Sequence, residues 1–311
     1  MRSLQLKAPL PFAWVVSGKR TKDNSEAMKS PIQVKRAIAV AIAKNLAMGI
    51  PYLRNARVRA GRTAAAPPSV EYLDTYAYNL LVEVTRHTGP VAGKSVLEIG
   101  PGDNILAGLA LLAAGARSYT AMDRFPGPYA SAEARRWYEL LRGNWPSRYP
   151  GLPWPGDLDP ATIPENPRIR IVREGVETAR DIGRFDLVCS YVVAEHVVNP
   201  DAFAKLTRRA LGDGGVALHV IDFGGHEWNA LGDPFLFLKF PEPLWRLMGS
   251  NRGLPNRVRF GAYMDCFKRA GLSIEVVDRK VVEFDPADAW VRSRADEDFL
   301  THWAVVKLTA T

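Results

Sequence analysis

Residues 96–104, VLEIGPGDN, form the stretch that decides the fold. The apolar run at residues 95–99 predicts a short buried strand, Gly100 and Gly102 predict a tight turn, and the apolar run that follows predicts a helix. Strand, glycine turn and helix make up the first unit of a nucleotide-binding α/β sheet. The glycines let the backbone approach a ligand closely, and the helix N-terminus offers free N–H groups to it.

The residues around the turn limit which class of ligand it can bind. A dinucleotide fingerprint requires a third glycine at position 105, where this chain has Ile. Glu98 precedes the turn and Asn104 takes the third small position, so the pattern is E-x-G-x-G-x-N. A carboxylate beside the turn suits a cationic ligand better than a pyrophosphate. This pattern resembles motif I of the class I S-adenosylmethionine methyltransferases, in which the third small position is often Gly.

The resemblance implies S-adenosylmethionine as cofactor and assigns further residues to it. A second predicted strand, 118–123, ends in Asp123, whose two carboxylate oxygens match the two ribose hydroxyls. Relatives often carry a small residue and then Asp or Asn for adenine after the third strand. This chain has Gly175 and Val176 there, so the adenine contact is expected from backbone groups or Glu177. The predicted cofactor-binding residues are Glu98, Gly100, Gly102, Asn104, Asp123, Gly175, Val176 and Ser190.

The fold class predicted is α/β, a Rossmann-like class I methyltransferase sheet. We expect it to be mostly parallel with an antiparallel C-terminal strand, N-terminal helices and an insertion before the last helix. Residues 1–68 are predicted to form an N-terminal extension with a helix and a linker, and the segment before that helix, up to Ser30, is expected to be loosely attached. The predicted methyltransferase domain, 69–311, includes helical or loop insertions at 125–168 and 224–258. Within the first insertion we expect one helix, Ser131 to Leu141, followed by an irregular loop.

Candidate catalytic residues follow the fourth and fifth predicted strands. Glu195 and His196 begin a segment that resembles the EHV-x-x-P segment of many small-molecule and sugar methyltransferases. His196 is the first candidate for a general base, because histidine titrates near neutral pH, and a structural role for it is the alternative. His219 is the second candidate, and Asp222 orients either histidine or acts itself.

A metal site is a further alternative at these positions. Glu195, His196, Asp222 and His226 are residue types that can bind a divalent ion and orient an acceptor with two hydroxyls. Nothing in their spacing requires a metal, and none is predicted.

Candidate acceptor-binding residues lie before motif I and in the second insertion. By resemblance, Tyr72 and Tyr76 line the cleft entrance, with helix packing as the alternative. Trp245 lies in a segment similar to those of bacterial glycan methyltransferases, and Arg257 and Arg259 are suited to bidentate contacts with an anionic group. The alternative for the arginines is a structural role within the insertion.

Composition and charge limit which other classes of partner the chain can have. The chain has 311 residues and a net charge of +8, which favours anionic partners, but its basic residues are dispersed and no nucleic-acid module is present. Two cysteines exclude a disulfide scaffold and a Cys-rich zinc site, and a cytoplasmic location is expected. The apolar run 37–50 predicts either a buried helix or a helix on a membrane face, with Lys35, Arg36 and Lys44 toward the headgroups.

These observations predict an S-adenosylmethionine-dependent methyltransferase that methylates a hydroxyl on a sugar or glycan. A natural product or other small molecule is the alternative acceptor. A non-catalytic protein that binds S-adenosylmethionine is the alternative from another functional class. The sequence leaves the oligomeric state open.

Overall fold

A single sheet dominates the computed structural model, which describes residues 30–63 and 65–311. Its strand order is β3-β2-β1-β4-β5-β7-β6. The strands are β1 (Ser95–Ile99), β2 (Ser118–Met122), β3 (Ile169–Val172), β4 (Phe185–Tyr191), β5 (Leu211–Asp222), β6 (Leu272–Val281) and β7 (Thr301–Ala310). The predicted loose attachment of the first residues lies outside the described part of the chain.

Strand direction agrees with the predicted fold class. The pairs among β1 to β5 are parallel, whereas β7 runs antiparallel to both β5 and β6. Because β7 is antiparallel to β5, its first residues lie beside the last residues of β5, and Trp303 pairs with Asp222. The polar ends of these two strands therefore meet at the carboxyl edge of the parallel sheet.

Helices cover both faces of the sheet. They are α1 (Pro31–Gly49), α2 (Pro51–Ala60), α3 (Val70–Leu73), α4 (Asn79–Thr88), α5 (Leu106–Ala113), α6 (Ala132–Arg148), α7 (Pro200–Ala210), α8 (Leu236–Lys239), α9 (Glu242–Gly249), α10 (Phe260–Arg269), α11 (Ala289–Arg292) and α12 (Glu297–Leu300). A π-helical turn, Asp74–Tyr78, joins α3 to α4. Among the described residues, no helix is both long and apolar enough to cross a bilayer.

Two hydrophobic cores lie on opposite faces of the sheet. Alternate residues of a strand point to opposite faces, so Leu218 and Val220 of β5 join the core under α4 and α5, whereas Ala217 and Ile221 join the core under α7 and α10. The same alternation decides which polar residues near the strand ends can reach a ligand.

A third, smaller core lies beside the sheet. We call it the satellite core, and it consists of Ala41 of α1 with insertion residues Trp228, Phe237, Phe240, Trp245 and Met248. Asn45 of α1 donates from Nδ2 to the Leu247 carbonyl at 2.9 Å, and the Asn251 N–H donates to Asn45 Oδ1 at 2.7 Å. One face of α1 is therefore buried against the insertion.

The first insertion is more helical than the sequence indicates. Helix α6 continues to Arg148, through Pro146, where the predicted helix ends at Leu141. Trp137, Leu141 and Trp145, spaced i, i+4 and i+8, are all buried, and this packing offsets the hydrogen bond that Pro146 cannot make. Trp145 and Trp154 donate to loop carbonyls, of Leu152 and Leu158, so they pack the loop.

Candidate active site

The glycine turn of motif I is the first element of the site. Gly100 has a φ of +75°, and its N–H donates to the Met122 carbonyl of β2 at 2.7 Å. A Cβ at this position would lie 2.5 Å from Cγ1 of Val193, so no larger residue fits without a shift. The turn therefore brings bare backbone to the carboxyl edge of the sheet, next to the segment that follows β4.

Glu98 lies at the end of β1, below the turn. Its side chain is buried, and the Tyr119 hydroxyl donates to Glu98 Oε2 at 2.6 Å. Burial raises the pKa of Glu98 to about 7, although the Tyr119 hydrogen bond acts in the opposite direction. The carboxyl thus titrates near neutral pH, where a nearby cation can shift it to the ionised form.

Asp123 and Asn104 hold the turn from either side. Asp123 Oδ2 accepts from the Gly102 N–H at 2.9 Å, and Asp123 Oδ1 accepts from the Phe125 N–H at 2.6 Å. Burial raises the pKa of Asp123, while these two hydrogen bonds lower it. Asn104 Oδ1 accepts from the Leu106 N–H at the start of α5. Both residues lie at the turn, and their predicted contacts with the cofactor stay predictions.

A cavity of about 520 Å³ opens from this turn. The motif I residues Glu98, Gly100, Gly102 and Asn104 line one part of it. Aromatic rings of Tyr76, Tyr191 and Trp303 line another part, together with the polar side chains of Asp222, His226 and His302. The glycine turn and a group of titratable side chains therefore share one cavity.

Asp222 is the centre of the titratable group. His302 Nε2 lies 3.7 Å from Asp222 Oδ1, and His226 Nε2 lies 3.8 Å from Asp222 Oδ2. Burial lowers the pKa of His302, although Asp222 raises it. For His226, burial lowers the pKa, but the carboxylates of Glu195 and Asp222 outweigh it and the net shift is upward.

Glu195 and His196 lie behind His226 and outside the cavity lining. They form a short 3-10 turn, Ala194–His196, whose last residue donates from Nδ1 to the Gly253 carbonyl at 2.7 Å. Burial lowers the pKa of His196. The rings of His196 and His226 lie 4.8 Å apart. His226, and not His196, is the member of this pair that faces the cavity.

The structure corrects the predicted positions of His219 and Ser190, because strand alternation places both side chains on the opposite face of the sheet from the cavity. Both are fully buried on the α7 side of the sheet, away from the cavity. Ser190 Oγ lies 2.8 Å from His219 Nδ1, and Thr207 Oγ1 lies 3.1 Å from His219 Nε2. The prediction that His219 faces the substrate is wrong, because both ring nitrogens bind neighbouring hydroxyls. At the end of β4 it is Tyr191 that lines the cavity, one position after Ser190.

The structure also corrects the acceptor-binding roles that were predicted for residues of the second insertion. Trp245 is buried in the satellite core and donates from Nε1 to the Pro255 carbonyl at 3.1 Å. Arg257 donates to the Phe240 carbonyl at 2.7 Å and pairs with Glu242. Arg259 donates to the carbonyls of Phe223, Phe299 and Thr301. Trp245 and Arg257 tie the insertion together, and Arg259 joins the segments next to β5 and β7. These contacts are the structural alternative for the arginines.

The remaining predicted residues divide between the cavity and its surroundings. Tyr76 lines the cavity, whereas Tyr72 is 42% exposed and packs against Tyr76 and Trp137. Val176 is buried in the core under α7 and α10, and Gly175 lies beside Arg124. Their predicted role in adenine binding stays a prediction.

Several cavity residues have no signal in a local motif. His302 and Trp303 reach the site because β7 pairs antiparallel with β5, which places them opposite the end of that strand. Thr63 lies in the N-terminal linker, and its N–H donates to the Asp103 carboxylate of the turn. A signal for His302 is present in the sequence, since a histidine at the start of the last strand of a predicted antiparallel pair must lie near this edge.

Comparison with known proteins places the chain in a family. A family model described as a methyltransferase domain matches residues 73–277, about two thirds of the chain. The chain belongs to the class I methyltransferases that use S-adenosylmethionine. S-adenosylmethionine is accordingly the methyl donor of this methyltransferase. A search of curated proteins by sequence gives no match.

Solved structures give distant likenesses to this methyltransferase. The YcgJ protein of Bacillus subtilis is 11% identical, with a TM-score of 0.44 over 75% of this chain and 98% of its own. A methyltransferase of Mesorhizobium loti is 15% identical, with a TM-score of 0.40 over 70% and 92%. Magnesium protoporphyrin IX methyltransferase of Synechocystis, solved with bound S-adenosylhomocysteine, is 10% identical, with a TM-score of 0.45 over 80% and 91%.

Proposed function

We propose that this methyltransferase transfers the methyl group of S-adenosylmethionine to a hydroxyl oxygen of a small acceptor. One observation carries the proposal: the motif I turn and the Asp222–His302 pair line the same cavity. The donor carbon is already activated by the sulfonium, so the enzyme mainly positions the two reactants and accepts the hydroxyl proton.

We assign the general base to His302 with Asp222 beside it. The acceptor oxygen attacks the methyl carbon, the carbon–sulfur bond breaks, and the hydroxyl proton passes to the imidazole. The lowered pKa of His302 keeps its ring neutral and able to accept that proton at neutral pH. Asp222, whose Oδ1 lies 3.7 Å from His302 Nε2, stabilises the imidazolium that forms.

The walls of the cavity favour an acceptor with an apolar part. Tyr76, Tyr191 and Trp303 offer ring faces and edges, whereas Asp222, His226 and His302 offer polar contacts. This pattern supports the small-molecule alternative better than the glycan, because the insertion residues predicted to hold a glycan are used within the fold. A sugar hydroxyl remains the second acceptor class to test, since rings beside hydrogen-bonding groups can also accommodate a sugar.

The experiment measures methyl transfer and cofactor binding separately. Purified protein is titrated with S-adenosylmethionine and S-adenosylhomocysteine, then incubated with aromatic and alicyclic alcohols and with sugars, and products are detected by mass spectrometry. We expect a methylated product from an alcohol. Cofactor binding without turnover of any acceptor would favour the non-catalytic alternative.

The His302→Gln variant tests the assigned base. Loss of a general base lowers kcat by about 10²–10⁴-fold, whereas affinity for S-adenosylmethionine should stay within about twofold. His87→Gln is the matched control, because His87 also lies beside a carboxylate, 3.3 Å from Glu83 in α4, and is not part of the cavity lining. Unchanged kcat in His302→Gln would remove His302 from the mechanism.

A further inference from the structure

Glu195 has a buried carboxylate to which the described part of the chain donates no hydrogen bond. It is 2% exposed, and neither of its oxygens has a hydrogen-bond partner among the described residues. The nearest cationic candidate, His226 Nε2, lies 3.6 Å from Glu195 Oε1, which is longer than a hydrogen bond. A carboxylate in this position is costly unless a cation compensates it.

The surroundings of Glu195 are preorganised. The Asn256 N–H donates to the Glu195 carbonyl at 2.6 Å, and Asn256 Nδ2 donates to the carbonyls of Ala194 and Val197. His226 has a φ of +52°, a strained conformation for a residue with a side chain. Asn256 of the insertion therefore fixes the backbone that carries Glu195 and His196, and the contacts around His226 maintain its strained conformation.

His196 has the hydrogen bond that is typical of a metal ligand. A carbonyl can only accept, so the contact with Gly253 fixes the proton on Nδ1 and leaves the lone pair on Nε2. Histidine ligands usually donate their other N–H in this way, which sets the tautomer and the ring orientation. One ligand atom from each of Glu195, His196 and His226 lies within 4.8 Å of the others.

We propose that Glu195, His196 and His226 bind a divalent first-row transition-metal ion, with Zn²⁺ as the test ion. Two imidazoles and one carboxylate suit such an ion better than Mg²⁺ or Ca²⁺, which prefer oxygen ligands. Ligand atoms that share a metal at about 2.0–2.2 Å lie about 3–3.5 Å apart, so the 3.6 Å separation of His226 and Glu195 needs only a small contraction. The sequence offers a metal site at these positions only as an alternative, because the spacing of Glu195, His196 and His226 does not require a metal.

The position of this ion gives it a role in acceptor binding. His226 lines the cavity, so an open coordination position beside it faces the acceptor. A metal there holds the hydroxyl oxygen and lowers the pKa of the hydroxyl. This role rests on the proposed O-methylation, whereas metal binding itself does not.

Metal binding is tested by titrating chelator-treated protein with Zn²⁺ and by recording the visible spectrum with Co²⁺. We expect one ion per chain and a melting temperature that rises with the metal. Glu195→Gln should weaken binding at least a hundredfold and abolish the Co²⁺ spectrum. Glu83→Gln is the matched control, because the Glu83–His87 pair has the same chemistry on α4.

Each outcome decides the proposal. Failure of the wild-type protein to bind either ion would overturn it and leave a Glu195–His226 ion pair as the explanation of the buried carboxylate. Equal binding by wild type and Glu195→Gln would overturn it as well. If Glu195→Gln does not fold, the wild-type titration and a His196→Asn variant give the answer. S-adenosylmethionine binding is measured in parallel, so failure of the metal site is distinguishable from failure of the proposed function.

A second, independent observation concerns the outer face of α1 and α2. Opposite the buried Ala41 and Asn45, Ile32 is 78% exposed and Leu46 is 59% exposed. At about 3.6 residues per turn, Lys35 and Lys44 flank this apolar face and Arg36 lies within it. The corner between the two helices adds further exposed apolar residues, Ile50, Tyr52 and Leu53.

The positive charge of this segment favours an anionic partner. Residues 31–62 contain seven basic residues and no acidic residue. An exposed apolar face flanked by lysines is the pattern of a helix that lies in the membrane interface, with its charged groups at the headgroups. We propose that α1 and α2 dock on a membrane surface rich in anionic phospholipid.

Vesicle sedimentation of the full chain tests this docking. We expect binding to phosphatidylcholine vesicles that contain phosphatidylglycerol, weaker binding at high salt, and little binding to pure phosphatidylcholine. Lys35→Gln with Lys44→Gln should weaken binding about tenfold to thirtyfold, and Ile32→Ser with Leu46→Ser should also weaken it. Val70→Ser with Val276→Ser, which removes two other exposed valines, is the matched control and should have no effect.

Three results would overturn the docking proposal. One is no binding of the wild-type protein to the anionic vesicles. Another is equal binding to neutral and anionic vesicles. The third is a dimer in sedimentation equilibrium that Ile32→Ser with Leu46→Ser dissociates, since the face would then bind a second copy of the chain.

Discussion

At the scale of single residues, Asp123 holds the glycine turn through both of its carboxylate oxygens. Each of its oxygens accepts one backbone N–H, from Gly102 or Phe125, and retains a lone pair for a ribose hydroxyl. We expect Asp123→Ala to weaken S-adenosylmethionine binding about a hundredfold, because two hydrogen bonds to a charged group are lost. Calorimetric titration measures it, and an affinity equal to that of the wild type would refute the ribose assignment.

We expect Glu98 to make cofactor binding depend on pH. Its pKa of about 7 means that roughly half of the empty sites carry a protonated carboxyl at neutral pH. A cationic ligand favours the ionised form, so we expect binding of S-adenosylmethionine to be about tenfold weaker at pH 6 than at pH 8. In Glu98→Gln this difference should disappear, and in the control Glu83→Gln it should persist. An equal pH dependence in both variants would contradict the role of Glu98.

The residues of motif I were predictable because they are neighbours in the chain. A short run of sequence contains the strand end, the turn and the helix start, so no long-range contact is needed to place Glu98 or Gly100. Asp222 and His302 are distant in the chain, and only the pairing of β5 with β7 brings them together. His219 precedes Asp222 by three residues in β5, so strand alternation places its side chain on the opposite face of the sheet from the cavity.

At the scale of elements, His219 connects three parts of the fold. Its ring nitrogens bind Ser190 of β4 and Thr207 of α7, and its ring packs between Phe203 and Phe267. Burial lowers the pKa of His219 to about 3, below the value near 6.5 in the unfolded chain. The neutral ring therefore stabilises the fold fully above pH 6.5, and this contribution is lost as the pH falls toward 3.

We expect acid to destabilise the wild type more than a His219→Gln variant, which has no titrating ring. The free energy of unfolding should fall by about 1.4 kcal/mol for each pH unit below 6.5 through this residue alone. Between pH 6.5 and 5 the wild type should lose about 2 kcal/mol more than the variant in urea unfolding. Parallel pH profiles for the two proteins would contradict this account.

Strands β1 and β2 were predictable because each is a short, largely apolar run bounded by polar or glycine residues. Helix α6 was predicted too short, because the local signal of Pro146 was outweighed by the burial of Trp145. In both cases the local sequence pattern predicts the element correctly, except where tertiary packing outweighs the local signal.

At the scale of the whole molecule, the insertion was misinterpreted because its role depends on a distant segment. Trp245, Arg257 and Arg259 have the chemistry of acceptor-binding residues. Their hydrogen-bond partners are backbone carbonyls within the insertion and at the ends of neighbouring elements. Trp245 also packs in the satellite core with Ala41 of α1, which is far from the insertion in the chain. No local pattern reveals that these residues complete a core.

The satellite core has a consequence for how the molecule opens. Its buried residues come from α1 and the insertion and, among the described residues, none comes from a sheet strand, so it can unfold locally while the sheet stays intact. His226 lies just before Trp228 of that core and also lines the cavity. Amide hydrogens of the satellite core should therefore exchange together, faster than those of β1 or β4, and slow down when the site is filled. Local unfolding of the satellite core would then also be the motion that lets a ligand enter the cavity.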